Sequence, residues 1–230
     1  MGNQSGAEFT CLAIEAASNV CSVAACRGFH SSSKSVAEPR NQSRYIFESV
    51  RKVLDELDLD LAALDCIAFG CGPGAFTGLR VVAAATQALS FGASIPVCRI
   101  SSLAGMAMGA LQKHGARLIA PCLDARMGEA YLAMYRSDDE SLLSTQVKDC
   151  LVDPMTFSLD GVRDVFAVGP GWAACGDMLN RHLENISGSD FDLLPTAEHL
   201  LVLAEQCFQT GLTVSPGDAL PNYIRNKVTQ

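Results

Sequence analysis

Two acids in this chain each end an apolar run and are followed by alanine, in Ile14-Glu15-Ala16 and Leu123-Asp124-Ala125. Carboxylates at strand ends can hold a hydrated Mg²⁺, orient a water, or order their own turn by accepting backbone N–H groups. Two glycine turns are doubled in the same way, Gly72-Pro73-Gly74 and Gly169-Pro170-Gly171. Each follows an apolar run and precedes a helical pattern. A glycine turn at a helix N-terminus admits an anion to the backbone, or equally a neighbouring segment or subunit. If the acids face each other across a cleft, Glu15, Asp124, Gly72, Gly74, Gly169 and Gly171 form a nucleotide or phosphate site. If each acid serves its own turn, they do not. The residues leave both readings open.

Other chemistries fail on spacing. Gly70-x-Gly72-x-x-Ala75 imitates a dinucleotide fingerprint, but Pro73 removes a donor. The ribose-binding acid expected about 20 residues later is also missing. No Gly-Lys-[Ser/Thr] follows either turn, and no Gly-x-Ser-x-Gly occurs. Cys71 or Thr77 as a nucleophile would need a histidine base, and none is near in sequence. The 4 histidines show no His-x-x-x-His spacing and the 10 cysteines no Cys-x-x-Cys, so no metal site is expected. Several cysteines sit inside apolar runs, as free thiols of a reduced, cytoplasmic protein would. The formal net charge of −8 argues against a broad basic face for nucleic acid. No apolar run is long enough to cross a membrane. Hydrophobic residues make up 49% of the 230, enough for a large core.

The elements that must position these residues read as follows. Strands are expected over 9–15, 20–26, 29–36, 66–69 and 96–100. Tyr45, Ile46, Ser49, Val50, Val53, Leu54 and Leu57 mark an amphipathic helix. Thr77 is the expected N-cap of an alanine-rich helix to Leu89, and Ser102 that of a helix to His114. The pattern then restarts, with strands over 117–124, 129–136, 145–152 and 164–168 and a helix from Trp172 to about His182. Thr196 caps a last helix to about Gln209. The matched acids and the matched glycine turns, in one element order, indicate a duplicated α/β unit. Between Asp65 and Asp124 there is no acid, only Arg80, Arg99, Lys113 and Arg117. Such a stretch is either mostly buried, where unpaired carboxylates are costly, or a face for an acidic partner or anion, and its many apolar and small residues favour burial. Ala83, Ala84, Ala85 and Ala88 leave its helix shallow, open to close approach by a partner helix.

Taken together, Gly72-Pro73-Gly74-Ala75-Phe76-Thr77-Gly78-Leu79-Arg80 and Asp124-Ala125-Arg126-Met127-Gly128-Glu129-Ala130-Tyr131 resemble the TsaB (YeaZ) family of tRNA threonylcarbamoyladenosine biosynthesis proteins. Leu12-Ala13-Ile14-Glu15-Ala16 and the closing Pro221-Asn222-Tyr223-Ile224-Arg225-Asn226 fit it too. The resemblance implies an actin-like (ASKHA) α/β fold of two duplicated ribonuclease-H-like lobes. These would be a loose extension over 1–8, a first lobe over 9–100 and a second over 101–230, its last helix and tail packing back on the first. It implies a non-catalytic scaffold for N6-threonylcarbamoyladenosine formation at position 37 of tRNAs reading ANN codons. The implied partners are a TsaD-like catalytic subunit and a TsaE-like ATPase, with a homodimer when the chain is alone and tRNA reached only through the complex. No cofactor is expected to bind tightly, with ATP and Mg²⁺ only in the complex. Carried over by position, the docking helices contribute Arg44, Phe47, Arg51, Phe76, Thr77, Arg80, Ala84 and Gln87. Catalytic relatives hold a metal through His-x-x-x-His on the first docking helix, where this chain has Gln42, Ser43 and Ile46. Glu15 also departs from the usual aspartate. The alternative is an ATP-dependent kinase or nucleotide hydrolase of the same fold, using Glu15 and Asp124.

Overall fold

The computed structural model describes residues 8–37, 41–138 and 142–225, so only Glu8 of the expected extension is among them. In the first half, strands β1 (Thr10–Glu15), β2 (Val20–Arg27) and β3 (His30–Ala37) form a meander, followed by helix α1 (Gln42–Glu56). Strand β4 (Cys66–Gly70), helix α2 (Phe76–Ala93), strand β5 (Val97–Ile100) and helix α3 (Ser102–His114) complete it. The second half repeats this with β6 (Leu118–Arg126), β7 (Glu129–Arg136), β8 (Ser144–Val152) and β9 (Val165–Val168). Short helices α4 (Pro170–Ala174) and α5 (Gly176–Arg181) lead to β10 (Ile186–Asp190) and helix α6 (Ala197–Gln209).

Both sheets have 5 strands, ordered β3-β2-β1-β4-β5 and β8-β7-β6-β9-β10. In each, the first strand pairs antiparallel with the second and parallel with the fourth. This is the ribonuclease-H-like lobe twice over, an actin-like α/β fold. No described helix stands between β8 and β9, where α1 stands in the first half.

Side chains alternate across a strand, so each sheet feeds two cores. Leu12 and Ile14 face the core under α1 and α2. Ala120 and Cys122 face the core under α4 and α5. Cys11, Ala13, Ile119 and Leu123 face a third core between the sheets, which also holds the buried sides of α3 and α6. There α6 lies against β1, β2, β4 and β5 of the first sheet, and α3 against β6, β7 and β9 of the second. The first sheet meets α6 through small residues, Cys11, Ala13, Ala24, Cys66 and Ala68, which let the helix approach closely. All ten cysteines are free thiols. No described helix is long and apolar enough to cross a membrane.

Local expectations differ from the structure at several places. The N-cap of α2 is Ala75, and Thr77 lies inside the first turn. The cap of α3 is Ser101, whose hydroxyl accepts from the Ala104 N–H at 3.2 Å. Ser102 is freed for another task. The helix expected from Trp172 to His182 breaks at Cys175 into α4 and α5. Strand β10 was not expected at all, because Ile186-Ser187-Gly188-Ser189-Asp190 has neither β-branched density nor alternation. Thr196 does precede α6, but its hydroxyl meets Nδ1 of His199 at 3.1 Å. The Ala197 N–H is taken by Ser22 Oγ at 2.9 Å, a bond from the first sheet.

Candidate functional site

Glu15 ends β1 with its side chain completely buried. Oε1 accepts from the Ala17 N–H at 2.6 Å and Oε2 from the Ser102 hydroxyl at 2.8 Å. Gly70 of β4 makes the space: a Cβ there would overlap the carboxyl group. Burial raises the Glu15 pKa to about 7, opposed by the Ala17, Ser102 and Ala16 hydrogen bonds.

Asp124 is placed differently. Phe69 pairs with Ile14 and Ala167 with Ala120. Two residues further on, the N–H of Cys71 meets the Ile100 carbonyl at 2.8 Å and that of Gly169 meets the Asp190 carbonyl at 2.9 Å. Ala120 is therefore the equivalent of Ile14, and Pro121 is the equivalent of Glu15. Asp124 shares the face of Ala120 and Cys122, beneath α4 and α5, and its charge adds to burial in raising the nearby Cys175 thiol. Glu15 shares the opposite, inter-sheet face with Cys11 and Ala13. Asp124 Oδ1 accepts from the Arg126 N–H at 2.7 Å, and Oδ2 lies 3.3 Å from Arg126 Nη1. So each acid orders its own turn, and strand parity puts the two on different faces of their sheets.

The glycine turns are closed by protein. The Ala75 N–H donates to the Ala17 carbonyl at 2.7 Å, and side chains at Gly74 or Gly78 would overlap Ala17 and Ala16. A Cβ at Gly72 would lie 2.9 Å from Leu79 Cδ1. At the second turn, one at Gly171 would lie 2.6 Å from Cys122 Sγ, and Gly169 is backed by Met106 and Cys122. The space freed by each missing side chain is filled by a neighbouring segment, so close packing by itself accounts for these glycines.

The residues carried over as docking positions lie on the outer surface of α1 and α2, which pack together. Arg44, Phe47, Arg51, Phe76, Thr77, Arg80 and Ala84 are exposed, and Gln87 is half-buried. Arg44 Nε pairs with Glu48 Oε1 at 2.7 Å. The opposite sides of both helices go to the core, through Ile46, Val50, Val53 and Leu54 on α1 and Leu79, Val82, Ala83 and Ala85 on α2. On α2, Phe76, Arg80, Ala84, Gln87 and Phe91 recur at helical spacing and form one stripe. Phe47, Phe76 and Phe91 stay 45%, 54% and 63% exposed.

Sequence reasoning missed the residues that finish this surface. Arg80 lies over the Phe76 ring, its guanidinium carbon 3.8 Å from the centroid, and its Nε donates to the Tyr223 hydroxyl at 3.1 Å. The Tyr223 ring stands 5.7 Å from that of Phe76. Gln87 Nε2 donates to the Ala219 carbonyl at 3.3 Å. Gly70, Gly78 and Ser102, which seat Glu15 and α2, were missed as well. Their partners are remote in sequence, so no local pattern marks them.

The chain matches the family model described as TsaD, tRNA N6-adenosine threonylcarbamoyltransferase, over residues 35–230. It is similar to the tRNA threonylcarbamoyladenosine biosynthesis protein TsaB of Escherichia coli (strain K12), 34% identical over 94% of this chain and 95% of that protein. The TsaB of Haemophilus influenzae is 35% identical over 96% of this chain and 95% of its own length. Among solved structures, it is similar to a crystal structure of a Pseudomonas aeruginosa protein described as having similarity to the peptidase YeaZ. That match has a TM-score of 0.87 and 34% identity, covering 94% of this chain and 100% of that one.

Proposed function

The chain belongs to the TsaB (YeaZ) family, and from that premise we propose that it serves in forming N6-threonylcarbamoyladenosine at position 37 of tRNAs reading ANN codons. Its part is that of a non-catalytic subunit that docks a TsaD-like catalytic subunit through α1 and α2. A TsaE-like ATPase joins the pair, tRNA is met only through the complex, and the free chain self-associates on the same surface. The observation that carries this reading is the stripe of exposed side chains on α2, Phe76, Arg80, Ala84 and Phe91, with Phe47 exposed on α1, the helix packed against it. Several large apolar side chains left exposed on one helix face are what an interaction surface presents. A nucleotide-hydrolysing role is less well supported. Its acids, Glu15 and Asp124, sit on different faces, and its glycines are filled by protein.

The test is association with the TsaD-like subunit of the same organism. Arg80→Glu and Ala84→Glu each place a charge on the stripe and are expected to weaken association about tenfold or more, with the unfolding midpoint unchanged. Unaltered affinity in both variants would move the interface elsewhere. Threonylcarbamoylated tRNA persisting after deletion of the gene would overturn the function itself.

A further inference from the structure

The tail after α6 touches both lobes. Val214 pairs with Val97 beside β5, with N–H to carbonyl distances of 3.0 and 2.8 Å. Ala219 is completely buried against α2, and the Asn222 N–H donates to the Cys71 carbonyl at 2.7 Å, next to the first glycine turn. Three residues later the chain is held by the other lobe. Arg225 Nη2 donates to the carbonyls of Ala125 and Arg126 at 3.1 and 3.3 Å and to Glu129 Oε2 at 2.5 Å. Its Nη1 lies 3.0 Å from Met127 Sδ. These groups belong to the β6–β7 hairpin, which turns through positive φ at Arg126 (64°), Met127 (59°) and Gly128 (79°). Left-handed backbone at two non-glycine residues is unfavourable. One guanidinium nitrogen, Nη2, meets two of the carbonyls of this turn together with a carboxylate, a charge-assisted contact.

Tyr223 is suspended between these two anchors, and it is the residue stacked beside Phe76 and bonded to Arg80. We propose that residues 219–225 form a clasp across the lobes, in which Arg225 is a positioning residue that holds Tyr223 in place as part of the docking surface. This rests on the docking role of α2. Its physical basis is preorganisation. With Tyr223 fixed, Phe76 and Arg80 are already ordered before the partner arrives, so less side-chain entropy is lost on binding. The hairpin of the second lobe thereby acts on a surface of the first lobe that it does not itself form.

The experiment is a double-mutant cycle in the full chain, read as affinity for the TsaD-like subunit, with thermal unfolding followed in parallel. Arg225→Met removes every donor and keeps the bulk. It is expected to weaken association about tenfold, as Tyr223→Ala does. The double variant is expected to bind no more weakly than Tyr223→Ala alone, because Arg225 acts through Tyr223. Arg225→Lys, which restores the charge but not the fork, should recover part of the loss. Wild-type affinity in Arg225→Met, or a loss that adds in full to that of Tyr223→Ala, would overturn the clasp. If Arg225→Met does not fold, Glu129→Gln, which removes the anionic partner of Arg225, takes its place in the cycle with the same two outcomes. The two readings fail differently. If Arg80→Glu and Ala84→Glu leave association intact, the docking role falls and the clasp with it. If they weaken it while Arg225→Met does not, only the clasp falls.

Discussion

A carboxyl group shut away from water at the end of β1 has consequences that can be measured without any partner. The folded Glu15 has a pKa near 7, against 4.5 for the free side chain, with burial as the main cause. Between those values the folded state binds more protons than the unfolded one, so stability must fall as pH rises from about 4.5 to about 7. The loss of stability is on the order of 3 kcal/mol, absent below that window and complete above it. Glu15→Gln keeps the shape, with an acceptor for the Ala17 N–H and an amide towards Ser102, and it does not titrate. Urea unfolding at pH 4.5 and pH 8 should therefore find the variant more stable than the wild type at the higher pH and close to it at the lower. A wild-type chain that gains stability over that interval relative to Glu15→Gln would refute the assignment. The presence of an acid at a strand end was legible in Ile14-Glu15-Ala16. Its burial was not, because Gly70 and Ser102 come from β4 and the start of α3. The apparent twin at Asp124 misled for a related reason. Matching tripeptides suggest equivalent positions, but β6 runs further than β1, and strand parity turns Asp124 to the other face.

At the scale of the element, α2 is seated by what its first turn lacks. Glycine inside a helix normally costs about 1 kcal/mol relative to alanine, and Gly92 obeys that rule, with nothing within 4 Å of an added Cβ. Gly78 does not, because its Cβ would drive into the Ala16 carbonyl, which is backbone and cannot turn aside. Gly92→Ala should raise the stability by about 0.5–1 kcal/mol. Gly78→Ala should lower it by about 2 kcal/mol or more, as overpacking does. Thermal unfolding of the two variants decides this, and the same sign for both would show that α2 is not held by close approach. Elements with strong periodicity were readable in advance. The apolar spacing of α1 and the continuous runs of β1 and β4 gave them away, because a buried face must be apolar. The glycine turn was readable as a strand-to-helix junction, but whether it admits an anion or a neighbouring segment depended on Ala16 and Ala17, half a sheet away in sequence. Cap identity was unreadable for the same reason. Ser101 and Ser102 are chemically alike, and only Glu15, remote in sequence, assigns them different tasks.

For the whole molecule, the repeat implied two similar halves, but neither half of the element order, β1 to α3 or β6 to α6, covers the inner face of its own sheet. The inner face of the first sheet is covered by α6 from the end of the chain, and α3 from the first half covers the second sheet. Further ties run the same way: Ser22 Oγ accepts from the first N–H of α6, and Lys113 and His114 of α3 both meet Asp190 of β10 at 2.8 Å. Removing the end of the chain should therefore damage its beginning. A chain ending at residue 190 keeps every strand of both sheets and still has α3 to cover the second. It exposes Cys11, Ala13, Ala24, Cys66 and Ala68, the apolar face that α6 had buried. That loss falls on the first lobe, which depends on this burial for its stability. Hydrogen exchange on this truncated chain should show the amides of β1 and β4 losing protection, while those of β6 and β9 keep more of theirs. The opposite order, with the second sheet opening first because the cut lies in its half of the sequence, would mean that each lobe is stabilised chiefly by its own segment. The crossed helices would then be a connection rather than a shared core.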